Sequence, residues 1–142
     1  MKFIAAFAAA TLLATAHAQQ SALREIRLAA GVHLIRAEVA DTFGSRMQGL
    51  MHRDALPPNG AMLFIYEQTA IHCMWMKNTR IPLSVAFLDE RGTIINIANM
   101  QPHSEESHCA ARPASYALEM SQGWFEERGL GSGARLRGLP AK

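Results

Sequence analysis

Charge of one sign is scarce in this chain, and that shortage removes a class of partners at once. Fourteen Lys+Arg against twelve Asp+Glu leave a formal net charge of +2 over 142 residues. No bulk field favours nucleic acid or an anionic surface. The arginines at 24, 27, 36, 46, 53 and 80 are scattered rather than run together, so no nucleic-acid partner is expected. Long apolar runs are also missing beyond the N-terminus, which leaves no later stretch of the ~18 residues that a membrane-spanning helix needs. A glycine-rich nucleophile elbow, an HExxH pair and a phosphate loop are all absent. Internal repeats and linker-like stretches are absent too, so the mature chain reads as one domain. Cysteine is limited to Cys73 and Cys109.

What is present begins with an export signal. Lys2 is a short basic region, Phe3 to Leu13 an apolar one, and Ala16-His17-Ala18 a small-x-small cleavage site. Residues 1–18 therefore read as a signal peptide and residues 19–142 as the exported domain, periplasmic or secreted and monomeric. In an oxidising compartment an even pair of cysteines suggests a disulfide between Cys73 and Cys109. That bond would stabilise the fold by roughly 4 kcal/mol on the loop-entropy model.

The stretch Ala70 to Leu83 organises the rest. Ile71 to Lys77 reads as a buried strand, with His72, Met74 and Met76 on one face and Cys73, Trp75 and Lys77 on the other. Asn78-Thr79 and Ile81-Pro82 supply turn chemistry behind it. Upstream, Arg24 to Ala29 and Val32 to Ala40 read as strands, the second with Val32, Leu34 and Val39 apolar. Asp41-Thr42 offers a cap for a helix over Phe43 to Met51, whose Phe43, Met47, Leu50 and Met51 share one face. Gly49 inside it implies close backbone packing. Ala61 to Tyr66 is a strand and Glu67-Gln68-Thr69 a turn. Ser84 to Leu88 and Thr93 to Met100 form a hairpin around Asp89-Glu90-Arg91-Gly92. Gln101 to Ala114 has no apolar period, and a loop of that length is functional or mobile. Ser115 to Met120 returns to strand, Ser121 caps a second short helix carrying Trp124 and Phe125, and Gly131 to Pro140 holds a last strand. The fold class is α+β: a curved, mostly antiparallel or mixed sheet closing partly into a barrel, with two short helices.

Three kinds of site compete. A binding module would line its pocket with Met62, Phe64, Trp75 and Met76 and ring it with Arg46, Lys77, Asn78 and Glu119. Arg46 and Lys77 would favour an anionic group on a small ligand or protein partner, unless Arg46 simply pairs with Glu119. A soft-metal site would use His72, Met74 and Met76 to hold Cu(I), against the ordinary use of methionine as core filler. Zinc through His72, Cys73, His108 and Cys109 is disfavoured, because adjacent strand residues point to opposite faces. His103, His108 and the Glu105-Glu106 pair belong to the loop and face water. A small hydrolase would need Cys73 or Cys109 beside His72, His103 or His108, or Ser84 beside a carboxylate. No cofactor is implied, and the binding module is the preferred reading.

The strings Arg46-x-x-Gly49-Leu50-Met51-x-Arg53, Gly60-Ala61-Met62-Leu63-Phe64, Trp75-Met76-Lys77-Asn78-Thr79-x-Ile81-Pro82-Leu83 and Tyr116-Ala117-Leu118-Glu119, with Gly123, resemble the Domain of Unknown Function 192 family. The resemblance covers nearly all of the mature chain and implies a compact β-rich domain, often exported. It implies no activity. Met74 stands where that family usually has Phe, and Ser84 where it usually has Asp.

Overall fold

The computed structural model describes residues 22–142, and the expected leader at residues 1–18 lies outside them. The described chain opens on a hairpin, in which β1 (Glu25–Ala30) and β2 (His33–Ala40) pair antiparallel from Glu25↔Glu38 to Ala30↔His33. Gly31 turns it at φ +60, a left-handed conformation that costs glycine no Cβ clash. The facing of β2 corrects the expectation. Ile35, Ala37 and Val39 are buried, while Val32 and Leu34 stand out at 90% and 69% exposure. With a side-chain period of two, putting the odd positions inside forces the even ones out.

β3 (Gly60–Ala70) lies parallel to β2, from Arg36↔Gly60 to Ala40↔Phe64. A parallel pair needs a crossover, which residues 41–59 supply with the helix α1 (Phe43–Gln48). Thr42 caps it: Thr42 Oγ1 accepts from the Ser45 N–H, and Ser45 Oγ accepts from the Thr42 N–H. The helix stops short of the expected Met51 because Gly49 takes φ +48. A Cβ on Gly49 would lie 3.4 Å from the Phe64 ring, so the end of α1 sits with bare backbone against β3. β3 itself runs through the expected Glu67-Gln68-Thr69 turn to Ala70, with an irregular register between Ile65 and Ala70 against β8 (Ala114–Ser121).

β5 (Leu83–Leu88) and β6 (Ile94–Met100) form the expected hairpin, closed by Asp89 Oδ1 accepting from the N–H groups of Arg91 and Thr93. β9 (Leu136–Arg137) adds to β1. The seven-stranded order is β6-β5-β8-β3-β2-β1-β9, a mixed sheet that curls into a half-barrel in one small domain. Only one short helix is present among the described residues, so the two-helix expectation is corrected. The segment after Ser121 is a single 3-10 turn (Glu126–Arg128) that Gly129 ends at φ +64.

The expected strand over Ile71 to Lys77 is also corrected. Only β4 (Cys73–Met74) is strand, paired with β7 (His108–Cys109) in a separate ribbon. β3 carries the chain past its neighbours before this stretch begins, so the Met76 N–H finds Ser104 O in the facing loop instead of a sheet partner. The alternation survives: Met76 is buried and His72 and Met74 partly so, while Cys73, Trp75 and Lys77 are exposed. Cys73 and Cys109 are bonded, 36 residues apart in sequence.

The central strands β3, β5 and β8 are buried on both faces. One face packs Leu63, Leu88 and Leu118 against Leu28, Ile35 and Phe125. The other packs Met62, Phe64, Val85 and Phe87 under Leu50 and Met76. Glu119 points into this second face, in register with Met62 on β3 and Val85 on β5.

Candidate functional site

Four stretches that are distant in sequence meet over that second face. The end of α1 with residues 49–51, the tops of β3 and β8, and Cys73 to Trp75 with Thr79 enclose a pocket of about 240 Å³. The helix reaches there as the crossover between β2 and β3. Its apolar face, expected to seal a core, covers the pocket mouth instead: Phe43 is 76% exposed and Met47 54%, while Leu50 alone of the set is fully buried. Trp75, 41% exposed, stands across from them with the Lys77 ammonium 5.3 Å from its ring centre.

The polar groups divide into committed and uncommitted. Arg46 lines the pocket, but its guanidinium donates to Asp41 O at 2.7 Å, to Ile65 O at 3.0 Å and to Glu67 Oε1 at 3.2 Å. It does not pair with Glu119. The Tyr66 hydroxyl donates to Met74 Sδ at 3.2 Å, and its ring stacks on His72 with centroids 3.6 Å apart. Burial, then the neighbouring Glu119 charge, holds the Tyr66 phenol above its ordinary range, and Arg46 pulls the other way. Glu119 lines the pocket at 4% exposure and has no ion-pair partner among the described residues. Burial pushes its carboxyl up to about 8, so at neutral pH it is mostly a protonated acid.

Of the residues expected at the site, Arg46, Trp75 and Glu119 line this pocket together with Phe64. Met76 and Met62 lie beneath it in the core, both fully buried. Lys77 stays on the rim over Trp75. Asn78 serves the turn: it takes φ +53, which asparagine tolerates better than most residues, and its carbonyl accepts the His52 N–H. Phe43, Met47, Met51 and Tyr66 were not expected here, and Met74 was expected only as a metal ligand. The helical spacing of Phe43, Met47 and Met51 was the available signal, read as core rather than as a wall.

The competing sites lose their parts. The disulfide consumes both thiols, so neither a zinc set on Cys73 and Cys109 nor a cysteine nucleophile is formed. Ser84 is 1% exposed, donates to Asn99 Oδ1 at 2.6 Å and accepts the Gly123 N–H. That bond between β5 and β6 fills the place of a nucleophile–base pair. His72 Nε2 donates to Gln68 O at 2.9 Å, and Met76 is sealed away from it. No group of three or more His, Cys, Asp or Glu is placed to hold a metal ion among the described residues, and no helix there is long and apolar enough to cross a membrane.

Comparison with known proteins places this geometry in a family. A Sinorhizobium meliloti 1021 protein, provisionally assigned as a transcription regulator, is 37% identical with a TM-score of 0.75, covering 80% of this chain and 92% of that one. A Novosphingobium aromaticivorans DSM 12444 protein of unknown function is 30% identical with a TM-score of 0.80, covering 84% and 89%. No curated protein matches. The model of DUF192, described as an uncharacterized ACR, matches residues 25–138, and the chain belongs to that family.

Proposed function

We propose that this is an exported binding module that takes a small ligand with an apolar body in the pocket between α1 and the Trp75 segment. The observation that carries the reading is an apolar surface left without a partner. Phe43, Met47 and Trp75 stay exposed around a concavity floored by the buried Phe64, Tyr66 and Glu119. Exposed large apolar groups gathered at one opening mark a binding surface, whereas single ones scattered over a protein do not. Export is supported by the reading of residues 1–18 and by the disulfide, which persists in an oxidising compartment. The transcription role assigned to the Sinorhizobium protein does not transfer, because a net charge of +2 with scattered arginines offers no electrostatic footprint.

A fragment screen by protein-observed NMR tests the reading. Saturable shifts are expected at the amides of Phe43 to Met51 and Met74 to Thr79, and shifts confined to other faces would refute it. Trp75→Ala should weaken bound fragments about fivefold, in line with about 1 kcal/mol for an aromatic contact. Its melting temperature should stay within a few degrees, since the side chain is already exposed at 41%. A large stability loss would make Trp75 structural.

Copper remains a second reading through Met74 together with two other sulfurs, because the thioethers of Met47, Met51 and Met74 all line the pocket. Competition for Cu(I) against a chelator decides it. Affinity lost in Met47→Leu with Met51→Leu would favour copper, and the organic-ligand reading expects no competition in either protein.

A further inference from the structure

We propose, resting on the binding reading above, that the ligand is a small organic cation: a protonated amine on an apolar stem whose ammonium meets the Glu119 carboxylate. The inference follows from which lining groups still have bonding capacity. Three ionisable side chains face the pocket, Arg46, Tyr66 and Glu119. Arg46 spends three of its five N–H donors on Asp41 O, Ile65 O and Glu67, so the expected anion receptor is largely engaged. The Tyr66 hydroxyl donates its hydrogen bond to Met74 Sδ. Glu119 is left, 4% exposed, with no ion-pair partner and opening into the cavity.

Ionising a carboxyl held at 4% exposure with no charge partner is costly, and a ligand that supplies the opposite charge removes that cost. Above about pH 8 an anion there would face the ionised Glu119 carboxylate, and the Arg46 charge is already offset by Glu67. Trp75 already holds the Lys77 ammonium over its ring, so at the rim the indole and the thioethers serve as polarizable walls for the alkyl stem.

Binding also moves a proton. The groups packed around Glu119 are Tyr66 on β3 and Arg46 on α1, with Glu67 offsetting the Arg46 charge and His72 behind Tyr66, while Met62 and Val85 beside it are apolar. None of them takes the proton that Glu119 sheds as the ammonium arrives, so it goes to solvent. Amine affinity should therefore rise with pH up to about 8 and then level off.

The test uses pentylamine, 1-pentanol and pentanoate as matched probes, followed by NMR at about pH 9. Pentylamine should bind at least tenfold tighter than pentanol, with pentanoate weakest. Glu119→Gln should bring pentylamine down to the level of pentanol, and so should moving the wild type to about pH 5, which checks the claim without a variant. A pentanoate affinity above that of pentylamine, or an amine preference that survives Glu119→Gln, overturns the inference while pentanol binding leaves the pocket reading standing. No saturable shift from any probe overturns both. N-acetyl-lysine methylamide distinguishes sources: tighter binding than pentylamine assigns the ammonium to a peptide side chain, weaker binding to a free amine.

Discussion

Replacing Glu119 by glutamine is expected to stabilise the protein strongly at alkaline pH and hardly at all in acid. Burial raises the native carboxyl from 4.5 to about 8. A raised acid is protonated in the native state while the unfolded chain has already lost its proton. Its contribution is thus intact below about 4.5 and is lost as pH rises through 8. At roughly 1.4 kcal/mol per pKa unit, full ionisation withdraws on the order of 4–5 kcal/mol. That is a large part of the 5–15 kcal/mol typical of whole domains. Glutamine keeps the shape and never ionises. Denaturant unfolding at about pH 4 and pH 9 should give two proteins of equal stability in acid and a variant ahead by several kcal/mol in base. Parallel pH profiles would show that Glu119 ionises freely.

Breaking the cross-link gives the second large effect. Cys73→Ser with Cys109→Ser frees a loop closed over 36 residues, and the loop-entropy model puts the loss at about 4 kcal/mol. The local consequence matters as much. β4 and β7 share only the Cys73↔Cys109 and Met74↔His108 pairs, too few to persist as an isolated ribbon. Without the bond, the wall that carries Met74 and Trp75 should loosen. The double variant should show a denaturation midpoint lower by that amount and faster hydrogen exchange from Cys73 to Met76, while β3, β5 and β8 keep their protection. A loss below about 1 kcal/mol would mean that the long loop is ordered without the bond.

How much of this was legible in the sequence depends on what each residue's position required. Hairpins and central strands were legible because local chemistry decides them, as Asp89-Glu90-Arg91-Gly92 and the apolar run from Ala61 show. The facing of β2 was not, since Val32 and Leu34 carry the same hydrophobicity as Ile35 and Val39, and only the register against β3 chooses between the two sets. The turn after Ser121 does end at Gly129 as expected, but it is a 3-10 turn that starts only at Glu126, after Trp124 and Phe125, and no side chain caps it. At the site, Arg46, Trp75 and Glu119 were named and do line one pocket. Their relation was misjudged: an arginine and a glutamate in one site suggest a pair, but the backbone carbonyls of Asp41 and Ile65 claim Arg46 first. Carbonyl positions belong to the folded backbone and leave no trace in residue types. The same applies to the stack of Tyr66 on His72, which depends on how β3 ends.

The most direct test of the account is a carbon-detected NMR titration of the Glu119 side-chain carboxyl, run on the free protein and again with saturating pentylamine. The account predicts a midpoint near 8 in the free protein, falling by at least one pH unit when the amine is bound. A midpoint in the ordinary carboxylate range, unmoved by the amine, would contradict it.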